Sequence, residues 1–275
     1  MKRFLVLICC ALLLLGAVAG CGGKNDQAAK DAPADKTTKL VVGATARPHA
    51  EILEVVKPML AKENVDLEIK VFTDYAQLNP ALKDGQIQAN FFQHIPYLDD
   101  YNKNNNTDLT WTVKVHNEPM GVYSKKIKDL NELKDGATVG IPNDASNGGR
   151  ALMVLEDAKL IKLKEGAGVT ATINDIVENP KNLKVTMMDA AMLPRTLDDA
   201  EICVINSNYA LEANLNPVKD SIFMEPKDSP FANILAVNPK DKNNPAIVKL
   251  SKALQSPEVK KFLEDTYEGS CVPAF

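Results

Sequence analysis

Residues 90–98 read Asn-Phe-Phe-Gln-His-Ile-Pro-Tyr-Leu and place aromatic rings close to an imidazole. An apolar strand is predicted to end near Phe92, and the proline that follows suits the first turn of a helix. Phe92, His94 and Tyr97 then surround a strand-to-helix turn. Aromatic faces beside an imidazole suit a small apolar side chain with a polar end, and a thioether especially, since each sulfur–aromatic contact contributes about 0.3–1.5 kcal/mol. The alternative places the phenylalanines in the core, and we favour it for Phe91, which alternation puts opposite Phe92.

A second candidate segment, residues 143–150, follows an apolar strand and opens a predicted helix. A helix N-terminus attracts carboxylates through its free N–H groups and its macrodipole. Arg150 adds a planar guanidinium that can hold a carboxylate through two hydrogen bonds. This combination predicts an amino-acid carboxylate as ligand; the alternative is a surface arginine on an ordinary helix.

Signatures of catalysis are sparse. The sequence has no Gly-x-Ser-x-Gly elbow, no Gly-x-x-x-x-Gly-Lys loop and no His-Glu-x-x-His pair, so we expect no enzyme. His49, His94 and His116 lie far apart, and a metal site built from all three is the weaker hypothesis. We expect no metal and no cofactor. The ordinary roles are a helix-start residue for His49, a ligand-facing donor for His94 and a surface strand residue for His116.

The elements that must hold these residues alternate between strand and helix. Short apolar runs such as 40–44 and 137–141 predict buried strands, and apolar residues at helical spacing over 49–63 and 146–159 predict helices. The other predicted strands are 67–71, 87–92, 109–115, 120–123, 183–185, 202–205 and 234–237. The other predicted helices with both bounds are 96–101, 194–200, 245–254 and 257–266. Two further short helices are predicted, one that follows a turn at 79–80 and ends at Gly85 and one that begins at 129–130. Residues 104–106 are predicted to form a loop. The alternation indicates an α/β fold with mixed, mostly parallel sheets and flanking helices.

The N-terminus is typical of an exported lipoprotein. Lys2 and Arg3 precede an apolar run over residues 4–19 that is short for a membrane span. The sequence Val-Ala-Gly-Cys then ends at Cys21 and fits a lipobox, although a signal peptide that merely contains a cysteine is the alternative. We predict a signal peptide over residues 1–20 and a lipid anchor on Cys21. Residues 21–38 form a flexible tether, because they hold too little apolar surface to fold.

Composition sets the class of the remaining body. The chain has 275 residues, of which 45% are apolar and 25% charged, and a net charge of -4. A disordered or fibrous protein is excluded, and nucleic acid is not expected as a partner because no basic stripe could neutralise phosphates. Cys203 in an apolar strand and Cys271 near the C-terminus are expected to be unpaired, buried thiols, although export would permit a disulfide.

An α/β body behind a lipid tether is typical of a solute-binding protein on the extracytoplasmic face of the cell membrane. Such proteins have two lobes joined by crossing strands, and the ligand lies between the lobes at the carboxyl ends of strands. We predict crossings near 120–124 and 222–230. Lobe 1 then comprises residues 39–121 plus 225–275, and lobe 2 comprises residues 122–224.

Several ordered blocks of sequence resemble the NlpA family, the methionine-binding lipoproteins of methionine ABC importers. The resemblance runs from about Leu40 to the C-terminus. The blocks that carry it are residues 48–53, 90–98, 123–127, 143–150, 177–183, 193–195, 204–206 with Tyr209, and 229–233. One departure is Gly148, where the family usually has a bulky residue before the Gly-Arg pair, and the resulting Gly148-Gly149 pair predicts a more flexible segment before Arg150.

The resemblance implies a two-lobed fold that encloses L-methionine and delivers it to an ABC permease with its ATPase subunits. It implies that four residues surround the thioether, namely Tyr75, Phe92, His94 and Tyr97. It also implies that four residues hold the amino-acid head group, namely Asn147, Arg150, Asn206 and Asn233. D-methionine or a methionine-containing dipeptide is the alternative ligand, and a metal is the remaining alternative. We expect a monomer.

Overall fold

The computed structural model describes residues 37–226 and 229–275. The predicted signal peptide, Cys21 and nearly all of the predicted tether lie outside the described residues. Within the described part of the chain, no helix is long and apolar enough to cross a membrane.

Strands and helices alternate along the described chain. The strands are β1 (Thr38–Thr45), β2 (Val65–Phe72), β3 (Ala89–His94), β4 (Thr110–Asn117), β5 (Gly121–Tyr123), β6 (Thr138–Pro142), β7 (Lys162–Leu163), β8 (Ile176–Glu178), β9 (Lys184–Met188), β10 (Ile202–Ile205), β11 (Phe223–Met224), β12 (Asn233–Val237) and β13 (Val272–Pro273). The α-helices are α1 (Glu51–Ala61), α2 (Leu78–Lys83), α3 (Ile95–Asn105), α4 (Ala145–Asp157), α5 (Leu193–Thr196), α6 (Ser207–Glu212), α7 (Pro217–Asp220), α8 (Pro245–Leu254) and α9 (Pro257–Tyr267). Short single-turn helices occupy several of the connections.

The first sheet has the strand order β13-β4-β12-β3-β1-β2. β1 pairs in parallel with β2 and β3, whereas β12 pairs antiparallel with β3 and β4. Every residue of β3 and of β12 is buried, as expected for strands covered on both faces. Helices α1, α8 and α9 contribute apolar residues to the core on one face of this sheet, where Phe91 is fully buried, as predicted.

The second sheet has the strand order β11-β5-β10-β6-β9. β6 pairs in parallel with β10 and β9, and β5 pairs antiparallel with β10 and β11. Helix α4 packs on it through a buried apolar stripe that includes Ala151, Leu152 and Leu155. The α/β fold of two mixed sheets with flanking helices is confirmed, but the expectation of mostly parallel pairing is wrong. Strands that return from one sheet to the other run against their neighbours, so both sheets are mixed.

The chain passes between the two sheets twice. The first passage lies between the end of β4 at Asn117 and the start of β5 at Gly121, and the second lies between the end of β11 at Met224 and the start of β12 at Asn233. We call the described residues of these stretches, 118–120 for the first and 225–226 with 229–232 for the second, the two crossing segments.

Local signals set most helix starts. Asp144 accepts a hydrogen bond from the Asn147 N–H at the start of α4, and Ser256 accepts one from the Val259 N–H at the start of α9. Each removes an unpaired donor from the first turn. The predicted turn at 79–80 is wrong, because both residues lie inside α2 and a proline in the first turn breaks no hydrogen bond.

Two further expectations concern loops and cysteines. The loop predicted at 104–106 is partly wrong, because the first two of these residues complete α3 and only Asn106 leaves it, with a left-handed backbone at φ 50°.

Cys203 and Cys271 are buried free thiols, as predicted. Burial raises the pKa of Cys203 to about 12 and raises that of Cys271 as well.

Candidate functional site

A small cavity lies between elements of the two sheets, and its empty volume of about 320 Å³ includes space open to solvent. The first sheet and its connections contribute one wall, and the starts of α4 and α6 contribute the opposite wall. The lining residues are Tyr75, Phe92, Gln93, His94, Tyr97, Glu118, Asn147, Arg150, Asn206, Ser207, Asn208 and Asn233.

Three aromatic rings form one side of the cavity. The ring of Tyr75 lies 5.5 Å from that of Phe92 and 5.9 Å from that of Tyr97, and the last two are 5.5 Å apart in an edge-to-face arrangement. Tyr209 stacks behind Tyr75 at 4.8 Å. We call Tyr75, Phe92 and Tyr97 the aromatic wall. It offers both ring faces and ring edges to an apolar guest, which suits the polarisable sulfur of a thioether.

His94 joins the aromatic wall to the polar side of the cavity. It is the N-cap of α3, where its Nδ1 accepts a hydrogen bond from the Tyr97 N–H at 3.2 Å. Its Nε2 lies 3.0 Å from Asn147 Oδ1, which also accepts a bond from Asn206 Nδ2 at 2.9 Å. This pattern requires the neutral imidazole with its proton on Nε2. Burial, with Arg150 nearby, lowers the pKa of His94 to about 3, so the ring is an uncharged donor at neutral pH.

Arg150 is held by both crossing segments. Its Nε lies 3.1 and 3.2 Å from the two carboxylate oxygens of Glu225, and its Nη2 lies 2.5 Å from Glu225 Oε2. Nη2 also donates to the backbone carbonyl of Glu118 at 2.7 Å, and Glu225 Oε2 accepts from the Met120 N–H at 3.1 Å. The guanidinium stacks on Phe231 at 4.3 Å. A carboxylate of the same chain therefore occupies the Nε–Nη2 edge of Arg150, and the contact of Arg150 with a ligand carboxylate stays a prediction.

Two histidines meet on Glu118, the first residue of the first crossing segment. Nε2 of His116 lies 2.7 Å from Glu118 Oε1, and Nε2 of His49 lies 3.2 Å from the same oxygen. His49 Nε2 also bonds Asn233 Oδ1 at 3.0 Å, and its Nδ1 bonds the Thr45 hydroxyl at 2.7 Å. The expectation that His116 is a surface residue is wrong, because it is fully buried.

The positions of His49, His94 and His116 bear on the hypothesis of a metal site built from all three. The ligating atoms of His49, His116 and Glu118 lie within 4.8 Å of one another, but His94 belongs to a different network around Asn147. Every ring nitrogen of His49 already has a protein partner. Hydrogen bonding accounts for the arrangement of His49, and the predicted set of three ligands does not come together.

The head-group side of the cavity holds an acceptor that has no partner in the described chain. Asn206 Oδ1 is buried and has no hydrogen-bond partner, while the same side chain donates through Nδ2 to Asn147. A buried amide oxygen without a donor is unfavourable by about 1–3 kcal/mol, so this atom favours a ligand that carries N–H groups.

The structure brings all eight predicted ligand-binding residues to one cavity, and their contact with a ligand stays a prediction. Sequence reasoning missed four other lining residues, Gln93, Glu118, Ser207 and Asn208. A signal for Glu118 was available: His116 and Glu118 stand two apart at the end of a strand, a spacing that places both side chains on one face. Gln93 is bonded to Asn79 and Asn90, and nothing in the local pattern indicates this buried amide cluster.

The two glycines before Arg150 do not make a loop. Both lie inside α4 and are buried, so the segment before Arg150 is helical. A Cβ on Gly149 would lie 2.3 Å from the carbonyl oxygen of Val169. The absence of a side chain here lets α4 pack closely against the turn at Gly168–Thr170.

Comparisons with known proteins identify relatives of this chain. The family model described as NlpA lipoprotein matches residues 40–275. The D-methionine-binding lipoprotein MetQ of Salmonella typhimurium is 44% identical over 260 residues, which are 93% of this chain and 92% of that protein. MetQ of Escherichia coli is 41% identical over 264 residues, 94% of each chain. A nutrient-binding protein from Burkholderia cenocepacia, solved with bound methionine, is 47% identical; the match has a TM-score of 0.84 and covers 86% of this chain and all of that one.

Proposed function

The chain belongs to the NlpA lipoprotein family, and we propose that it is the substrate-binding lipoprotein of an ABC importer, with L-methionine as its ligand. The observation that carries the proposal is the cavity itself, in which an aromatic wall faces a set of polar head-group contacts. The methionine-binding relatives support the same conclusion. The protein binds and releases its ligand unchanged, as a carrier and not an enzyme.

The two sides of the cavity match the two ends of methionine. The thioether lies against the aromatic wall, where contacts with ring faces and edges favour sulfur over a plain methylene. The head group lies near Arg150, Asn206 and Asn233, which come from both sheets. Because a ligand that touches both sides favours the state in which they are close, binding stabilises the closed form.

The proposed lobes follow the two sheets. Lobe 1 comprises residues 39–121 plus 225–275, and lobe 2 comprises residues 122–224, with the crossing segments as the hinge. The closed protein docks on a membrane permease that is coupled to ATPase subunits. A lipid on Cys21 holds the body at the extracytoplasmic face of the cell membrane, and the tether gives it freedom to reach the permease. The protein acts as a monomer.

A panel of ligands tests the proposal directly. We expect L-methionine to raise the melting temperature of ligand-free protein by several degrees at saturating concentration, because it binds the folded state alone. D-methionine and glycyl-methionine are included in the panel, since a larger shift with either would keep the carrier function and change the ligand. No shift with any of the three would contradict the proposal.

A matched pair of arginine variants shows whether the shift comes from this cavity. Arg150→Met removes the buried guanidinium that lines the cavity, whereas Arg195→Met changes an exposed arginine on α5 outside it. We expect the first variant to lose the methionine-dependent shift and the second to keep it. A full shift in Arg150→Met would place the ligand elsewhere.

A further inference from the structure

Two methionine side chains of the described chain are exposed, although methionine is among the residue types most often buried. Met187 and Met192 are 40% and 47% exposed, whereas Met120 is fully buried. The other methionines of the described residues are partly buried, namely Met59, Met153, Met188 and Met224. Oxidation of methionine to its sulfoxide depends on access to the sulfur. A dissolved oxidant therefore reaches Met187 and Met192 first.

The strand that holds Met187 explains its exposure. Met187 and Met188 are adjacent in β9, where successive side chains point to opposite faces. Met188 packs against the buried cluster that contains Cys203, and its sulfur accepts a hydrogen bond from the Thr196 hydroxyl at 3.1 Å. Met187 lies on the other face, where its methyl end is 3.4 Å from the position that a Cβ on Gly148 would occupy. That neighbour belongs to α4 in the same proposed lobe, so movement of the lobes leaves it in place.

Met192 instead lies in a groove to which both proposed lobes contribute. The groove is lined by Thr73 and Asp74 of lobe 1 and by Met192 and Tyr209 of lobe 2, among others. It adjoins the candidate cavity, because Tyr209 stacks on Tyr75 of the aromatic wall at 4.8 Å. Separation of the lobes draws Thr73 and Asp74 away from Met192 and uncovers more of its side chain.

We propose that Met187 and Met192 are modification sites for two-electron oxidants of the peroxide class, and that ligand-driven closure partly shields Met192 but not Met187. In each reaction the methionine sulfur attacks one oxygen of hydrogen peroxide, so that an S–O bond forms and the O–O bond breaks. The second oxygen takes the proton of the transferred hydroxyl group and leaves as water. Sulfur loses two electrons and peroxide gains them. The shielding rests on the proposed function, because closure requires a ligand that favours the closed form.

The exposure of Met192 sets the size of the shielding. The structure represents a closed form, since His94 of lobe 1 lies 3.0 Å from Asn147 of lobe 2 through Nε2 and Oδ1. In this form Met192 is 47% exposed, so full opening of the groove can raise its oxidation rate by at most about twofold if the rate follows exposure. Met187 keeps its rate. The Met192-to-Met187 rate ratio therefore reports the shielding, with Met187 as a reference in the same molecule.

The test measures oxidation at each methionine of the full-length protein, by limited treatment with hydrogen peroxide, digestion and mass spectrometry. In ligand-free protein we expect Met187 and Met192 to be oxidised at least about threefold faster than Met59, Met153 and Met224. Saturation with L-methionine should lower the Met192-to-Met187 rate ratio by about 1.5-fold to twofold. Free methionine also consumes peroxide, but it lowers both rates equally and leaves the ratio unchanged.

Leucine variants assign the fast reaction to residues. Met187→Leu combined with Met192→Leu removes both sulfurs and keeps apolar side chains of similar size, so the rapid uptake of two oxygen atoms should be lost. Met59→Leu, at a partly buried position in α1, is the matched control and should keep it. Equal rates at all described methionines would overturn the inference, as would a constant ratio when L-methionine raises the melting temperature. If L-methionine does not raise it, the proposed function fails instead, and the order of oxidation in ligand-free protein still decides the site assignment.

Discussion

A methyl group added at Gly149 tests the packing that places Arg150. Gly149 lies in the second turn of α4, and a Cβ there would be 2.3 Å from the Val169 carbonyl oxygen, 2.9 Å from its carbonyl carbon and 3.2 Å from the Ala171 carbonyl oxygen. All three atoms are backbone, so no side chain can rotate away. The helix and the turn at Gly168–Thr170 must therefore separate.

The magnitude follows from two opposing effects. Overpacking of a tight interface destabilises by about 1–3 kcal/mol, and a clash with backbone atoms belongs at the upper end. Replacement of glycine by alanine inside a helix stabilises by about 1 kcal/mol. We predict that Gly149→Ala lowers the free energy of unfolding by about 2 kcal/mol, which corresponds to a fall in melting temperature of about 4–8 °C.

The neighbouring glycine supplies the control. A Cβ on Gly148 would lie 3.0 Å from the Pro142 carbonyl oxygen and 3.4 Å from the flexible end of Met187, so Gly148→Ala should change stability by less than about 1 kcal/mol. Urea denaturation of both variants, followed by circular dichroism, measures the difference. If Gly149→Ala is as stable as the unaltered protein, α4 does not pack on the turn as described, and the account of why Arg150 is fixed fails.

Three further predictions concern the cavity, the buried imidazoles and the thiols. Phe92→Ala should weaken methionine binding by about 2–3 kcal/mol, from lost apolar burial and sulfur contact, and unchanged affinity by calorimetry would remove the ring from the site. The folded-state pKa values of His49 and His94, about 4 and about 3, lie below the value of about 6.5 in an unfolded chain. As the pH falls, these imidazoles therefore take up protons in the unfolded protein before they do so in the folded protein. The free energy of unfolding should drop by about 2 kcal/mol per imidazole from pH 7 to pH 5. Denaturation at both pH values measures this drop, and equal stability at the two would contradict it. Cys203 and Cys271 should resist a thiol reagent in native protein and react fully in denaturant, because burial raises the pKa of both thiols; rapid labelling without denaturant would show that they are accessible.

Local patterns in the sequence predicted most of the elements. The apolar run in β1 and the helical spacing of apolar residues in α1 and α4 each depend on neighbouring residues alone, and these elements lie where expected. The antiparallel pairing of β12 between β3 and β4 was not predictable in this way. It depends on where a distant strand returns, which no local period encodes.

The site shows the same limit at the level of single residues. Phe92, His94 and Tyr97 share one strand-to-helix turn, so chemistry and spacing alone singled them out. The contact between Glu225 and Arg150 could not be predicted from local sequence, because the two residues are 75 positions apart. That contact occupies one edge of the guanidinium, which no local pattern in the sequence indicates.

Calorimetric titration of unfolded and refolded, ligand-free protein with L-methionine tests the central claim most directly. The account predicts one-to-one binding that is lost in Arg150→Met and kept in Arg195→Met. No binding of L-methionine, D-methionine or glycyl-methionine by demonstrably folded protein would contradict it.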